Sequence, residues 1–148
     1  LSTEHILEAE IMITRINPAG LYDALGYGFS HATLQQAGAT LHLAGQVAWD
    51  KDCNVVGIGD LEAQTRQALA NLHAVLAEAG CTPADVVRLR TYVVDHSPEK
   101  LGPVLGAIGE FYAGAVPAPN TFIGVATLAL PDFLIEIEAI AAVPTTQG

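Results

Sequence analysis

The sequence predicts an α+β domain, a mixed β-sheet with two amphipathic helices on one face, in the order β-β-β-α-β-α-β-β. Three observations carry the prediction: strict alternation in Ile135-Glu136-Ile137-Glu138-Ala139-Ile140-Ala141, helical apolar spacing from Leu61 to Ala79, and a second helical stripe from Leu101 to Tyr112. Alternation sends successive side chains to opposite faces, so Glu136 and Glu138 leave the strand on one side and the apolar residues pack on the other. Like charges at i and i+2 in an apolar strand need solvent, a cation or a hydrogen-bonding cleft. The stretch is therefore either a wet sheet face or the floor of a site, and residues 117–143 as a whole read as a hairpin closing the sheet.

The elements follow in order. Residues 12–16 form a short apolar strand, and N-P-A-G-L-Y-D-A-L-G-Y-G after it is a loop in which Tyr22 and Tyr27 pack. Residues 29–36 and 40–47 alternate as strands, with Ala37-Gly38-Ala39 as the turn of an antiparallel hairpin. Gly45 inside the second of them marks a close approach to the backbone or a β-bulge. Asp60 caps the first helix, whose stripe is Leu61, Ala68, Leu69, Leu72, Val75, Leu76 and Ala79, and Gly80 stops it. His73 lies off that stripe as a solvated residue. Thr82-Pro83 starts a short helical turn, and residues 86–94 form a strand with Arg88 and Arg90 on one face, placed to pair with the two glutamates. Ser97-Pro98 caps the second helix, with the stripe Leu101, Val104, Leu105, Ile108, Phe111 and Tyr112, ended by Gly114. Two helices cover one sheet face only, so the other is left wet or covered by another copy, which predicts a homo-oligomer of closed symmetry.

A length of 148 residues with 51% hydrophobic content fits one domain, over residues 12–148. Residues 1–11 read as an added leader or a disordered N-terminal extension ahead of a start at Met12, the sole methionine. The net charge of -10 with only six basic residues excludes a basic stripe, and with it nucleic acid and anionic membrane surfaces as partners. Cys53 and Cys81 lack metal or redox spacing, and no apolar run reaches the roughly 20 residues that span a bilayer, which points to the cytoplasm. W-D-K-D-C-N offers Asp50, Asp52 and Asn54 without the glycine and glutamate of a calcium loop, and the five histidines include no close pair of metal-ligand type. Hydrolase elbow, phosphate loop and dinucleotide fingerprint are all missing, so neither metal nor organic cofactor is expected.

F-S-H-A, L-A-G-Q, E-A-Q-T-R-Q-A-L-A-N-L, V-V-R-L-R-T-Y-V-V-D and I-E-I-E-A-I-A occur in this order. The chain resembles the reactive intermediate deaminase family, RidA, also called YjgF, from about residue 14 to residue 143. The resemblance implies a chorismate-mutase-like fold, a homotrimer with ligand clefts between subunits, and hydrolysis of reactive enamines and imines to ketoacids and ammonia; older members carry an endoribonuclease label, which the acidic composition here disfavours. Matched residue by residue, Glu136 takes the place of the carboxylate that positions or activates water, and Gly45 that of the S-G-Q glycine. The arginine that clamps a substrate carboxylate falls on Asn120, the nearby cysteine on Phe122, a tyrosine on Phe29 and a helix asparagine on Leu105. A guanidinium gives a bidentate, charge-assisted grip that an amide does not reproduce. The expected function is a divergent enamine or imine deaminase of altered specificity, with Glu136 activating water in a desolvated, more apolar cleft. The alternative is a non-catalytic trimeric module that binds a small molecule or a protein partner.

Overall fold

The computed structural model describes residues 12–144, so the leader assigned to residues 1–11 lies outside the described residues. Strands β1 (Ile13–Ile16), β2 (Ala32–Gln35) and β3 (Ala39–Gln46), helix α1 (Leu61–Glu78), β4 (Val86–Val94), helix α2 (Leu101–Phe111), β5 (Asn120–Val125) and β6 (Ile135–Val143) follow the predicted order. A β1-β2 ribbon accompanies a four-stranded sheet in the order β3-β6-β4-β5. The sheet is mixed: β4 and β5 are parallel, while β6 runs antiparallel to both β3 and β4.

Two predicted pairings are corrected. Residues 117–143 are not a hairpin, because β5 pairs with β4 and β6 lies between β4 and β3. Helix α2 is a crossover, and a crossover returns the chain parallel to the strand it left. Residues 126–134 then carry the chain back past β4. The second correction is that β2 pairs with β1 and β3 with β6, with no β2-β3 ladder. The long β6 offers β3 a register from Ala39↔Val143 to Gln46↔Ile137, which four-residue β2 does not match.

Local chemistry explains the first helix. Asp60 is extended and its Oδ1 accepts from the Ala63 N–H at 3.0 Å. At the other end Gly80, at φ 75°, donates its N–H to Ala77 O at 3.0 Å while Cys81 N–H reaches Leu76 O at 2.8 Å, a Schellman closure. The buried stripe is Gln64, Thr65, Ala68, Leu69, Leu72 and Leu76. Val75, expected inside, is 38% exposed, because it overhangs Leu41 on the sheet's edge strand β3. The fully buried Gln64 is satisfied three times: its Nε2 donates to Gly57 O at 3.1 Å and Asp132 O at 3.0 Å, and its Oε1 accepts from Leu134 N–H at 2.9 Å. That clasp ties the connection before β6 to α1 and so fixes where β6 begins.

Pro83–Asp85 is the expected short turn, closed by a Thr82–Asp85 capping box. Ser97 makes no side-chain cap; a 3-10 turn over Pro98–Lys100 leads into α2, with Lys100 Nζ donating to Asp95 O at 2.7 Å. Leu72, Leu76, Leu89, Val93, Val104, Ile108, Ile135 and Ile137 form the core between helices and sheet, each burial contributing about 1.5 to 3 kcal/mol.

Candidate functional site

The alternation of β6 is observed: Ile135, Ile137 and Ala139 are buried in the core, while Glu136 and Glu138 stand half-buried on the opposite face. At Gly45 both readings of the glycine hold. The ladder runs Leu43↔Ala139 and then Gln46↔Ile137, so three steps on β3 span two on β6, which is a bulge. A Cβ on Gly45 would stand 2.8 Å from Glu136 Cδ and 2.9 Å from its Cγ and Oε1, closer than van der Waals contact permits. Glycine at this point is what leaves room for the carboxyl of Glu136.

Gly45 and Glu136 line a cleft of about 450 Å³ whose other walls include Trp49, Asp50, Leu130 and Phe133. Trp49 and Phe133 meet edge to face, with ring centroids 5.2 Å apart. Asn71 on α1 pins the Trp49 loop by donating to Val47 O at 3.1 Å and Trp49 O at 2.9 Å. Asp50 Oδ1 accepts from the N–H groups of Asp52 and Asn54, both at 2.9 Å, and the Asn54 bond above all holds its carboxyl below the usual carboxylate range. Among the described residues Glu136 has no hydrogen-bond partner, so both of its oxygens are available to a ligand or water. Sequence reasoning missed Trp49, Asp50 and Phe133. The available signals were the loop directly after the Gly45 strand and the aromatic residue two positions before the Glu136 strand.

The other predicted site residues gather elsewhere. Asn120 and Phe122 stand opposite Leu89 and Thr91 on β4, both buried, and therefore face the helices. Asn120 Oδ1 accepts from Thr91 Oγ1 at 3.1 Å, and Phe122 packs on His96 with centroids 4.8 Å apart. His96 Nδ1 is buried with no hydrogen-bond partner among the described residues. Phe29 is drawn toward this side, since the next residue, Ser30, donates from Oγ to Pro117 O at 2.6 Å and from N–H to Ala118 O at 3.2 Å. Phe29 also joins Tyr22 and His31 in an aromatic cluster, at 6.3 and 6.1 Å, with Tyr27 edge-on to Tyr22. Leu105 is half-buried on α2, in the helix layer. One chain thus brings Gly45 and Glu136 together and holds Asn120 and Phe122 across the sheet from them.

The expected pairing of Arg88 and Arg90 with the glutamates is not formed. Among the described residues the ion pairs are those of Arg66 with Glu62 and Glu110, across the two helices. Glu138 instead accepts a hydrogen bond from the Tyr92 hydroxyl, and that bond pushes the phenol above its ordinary pKa. A short phenol fixed on the neighbouring strand reaches the carboxylate diagonally, while the arginines extend to solvent. The open face is thus mixed rather than apolar: Arg88, Arg90 and His42 are exposed among Tyr92, Ile123 and Ile140. Among the described residues no three His, Cys, Asp or Glu side chains gather as a metal site would require, and no helix is long and apolar enough to cross a membrane.

A family model described as endoribonuclease L-PSP matches residues 23–143. The Rid-family protein YyfB of Yersinia pestis is 59% identical in sequence and superposes with a TM-score of 0.87, over 88% of this chain and 98% of that one. A RutC family protein of Synechocystis sp. is 34% identical over 110 residues, covering 74% of this chain and 82% of the relative. A RutC family protein of Pyrococcus horikoshii is 37% identical over 108 residues, covering 72% and 81%. With a mixed sheet, two covering helices and motifs that run through most of its length, the chain belongs to the RidA/YjgF family.

Proposed function

We propose that the protein hydrolyses C=N or enamine bonds with release of ammonia, with Glu136 as the group that handles the proton. The observation that carries this reading is the Glu136 carboxyl laid against Gly45, without a hydrogen-bond partner among the described residues, in a cleft walled by Trp49 and Phe133. Water adds through oxygen to the imine carbon while Glu136 takes one of its protons and passes it to the nitrogen, giving a tetrahedral amino alcohol. Transfer of the hydroxyl proton through Glu136 to the nitrogen then breaks the C–N bond as the carbonyl forms, so imine and water become carbonyl compound and ammonia. In this reading the protein is a homotrimer, and the Phe29, Asn120 and Phe122 side of one subunit closes the Gly45–Glu136 cleft of the next. The net charge of -10 opposes the nuclease label that the family model carries.

Ammonia release from freshly generated imines and enamines tests the reading. Glu136→Gln should lower the rate by about 10² to 10⁴-fold, the usual worth of general acid–base catalysis, and an unchanged rate overturns it. Light scattering should give three times the chain mass; a monomer at working concentration would remove the shared cleft. One observation favours the second reading, a non-catalytic trimeric module binding a small molecule or protein partner: Asn120 is already engaged with Thr91 and brings no positive charge. Saturable ligand binding with no ammonia release across the panel would establish it.

A further inference from the structure

The walls of the Gly45–Glu136 cleft carry a charge pattern that bears on what it binds. Among the described residues its ionisable lining groups are Asp50 and Glu136, and no lysine, arginine or histidine lines it. Asp50 is held as an anion chiefly by two backbone N–H groups on Oδ1. The basic residues of the described chain are placed elsewhere. Arg15 bonds Thr33, Arg66 bonds glutamates on the helices, Lys100 bonds backbone carbonyls, and Arg88 and Arg90 line a separate pocket of about 230 Å³ with Glu138. Lys51 is exposed and outside the lining. The remaining surface is largely aromatic and aliphatic, from Trp49, Phe133 and Leu130, with the neutral amides of Gln46 and Asn71 beside them.

An anionic ligand entering there meets two carboxylates and no counter-charge from the described residues of this chain, and the Phe29, Asn120 and Phe122 side proposed to close it adds none; a cation meets opposite charge beside aromatic rings that also attract cations. We infer that the cleft selects cationic, carboxylate-free ligands: imines derived from amines that carry an apolar or aromatic body, bound in the protonated form. The inference rests on the hydrolase reading and deepens it. Protonation makes the imine carbon the better electrophile, and the two carboxylates favour that form. Water adds through oxygen to the protonated imine and gives one proton to Glu136, leaving a neutral amino alcohol; Glu136 returns that proton to the nitrogen, the C–N bond breaks toward nitrogen, and the hydroxyl proton passes to the departing ammonia, so the products are the carbonyl compound and ammonium. Every atom and charge is then accounted for without a further reactant.

Binding is tested first, apart from turnover, by calorimetry on the full chain with 2-phenylethylammonium and 3-phenylpropionate. The ammonium should bind at least tenfold more tightly, and Asp50→Asn should erase several-fold of that preference. Asparagine keeps the oxygen that accepts from Asp52 and Asn54, so the variant removes charge and leaves the loop. Equal affinities, tighter binding of the carboxylate, or saturable binding of neither overturns the inference. Turnover is then compared for imines generated by oxidation of 2-phenylethylamine and of phenylalanine, which differ only in the carboxylate. At least a tenfold higher kcat/KM for the first is expected, and the reverse order overturns the inference while leaving the hydrolase reading intact. Ammonium-selective binding with no turnover of either imine keeps the selectivity and removes the hydrolase reading.

Discussion

Gly45→Ala separates the site from the fold. The new methyl would stand 2.8 Å from Glu136 Cδ, and ordinary contact begins near 3.4 Å, so the carboxyl must retreat by about 0.6 Å. The clash is with the end of a flexible side chain, and the Gly45 backbone lies outside the left-handed region, so alanine is sterically acceptable to the main chain. Turning Glu136 off its rotamer costs about 0.5 to 1.5 kcal/mol, while replacing glycine by alanine recovers about 0.4 to 1 kcal/mol through the unfolded chain. Net stability should change by less than about 1 kcal/mol, which for a domain of this size is a few degrees in Tm. Catalysis is less forgiving, because a misplacement of about 1 Å costs on the order of a hundredfold. Ammonia release should therefore fall by roughly tenfold or more in a variant whose melting curve is nearly unchanged. Activity within twofold of the parent would refute the claim that this glycine positions the Glu136 carboxyl. A large fall in Tm would instead show that the bulge, not the carboxyl, requires glycine.

Asn120→Arg should lower KM for carboxylate-bearing imines by about ten- to a hundredfold, since charge-assisted bonds are worth roughly 1.5 to 3 kcal/mol each; steady-state kinetics showing an unchanged KM would count against the missing-clamp account. Gln64→Leu should destabilise the chain by about 3 to 5 kcal/mol in denaturant titration, because Gly57 O, Asp132 O and Leu134 N–H lose their buried partner together. Tyr112 is buried, and that burial pushes its pKa up to about 12 from 10.0. The unfolded chain ionises first, so the stability tied to the neutral phenol is whole below about pH 10 and is lost toward pH 12, at about 1.4 kcal/mol per pH unit. Urea melts of Tyr112→Phe should match or exceed the parent at pH 7 and lose less than the parent between pH 10 and 11.5.

The elements were legible where punctuation and period agree. Asp60 and Gly80 bound α1 as their chemistry requires, and the alternation of β6 put its two glutamates on one face. Strand partners were not legible, because pairing is settled by crossovers far apart in sequence: α2 makes β5 parallel to β4, and β6 then takes the slot beside β3. A polar residue beside an apolar stripe looks solvated in the sequence, so nothing there marks Gln64 as buried. Its burial depends on residues 57, 132 and 134, which nothing local announces. The cleft shows the same division. Gly45 and Glu136 each signalled a special position, while Trp49 and Phe133 became a wall only once the 47–49 loop was pinned to α1 by Asn71.

The separation of Glu136 from Asn120 follows from strand parity. Glu136 stands opposite Tyr92 and Asn120 opposite Leu89, an even and an odd position of β4, and successive positions point to opposite faces. A slip of one residue in either register would have placed both on the same side of the sheet. With the observed registers, no folding of one chain brings the two side chains to a common ligand without breaking the core that Leu89, Ile135 and Ile137 share. A ligand held by both must therefore be held by two copies. If the chain assembles as proposed, a variant that keeps the fold but loses association should lose its response to substitution at Asn120 while keeping whatever the Asp50–Glu136 cleft binds alone.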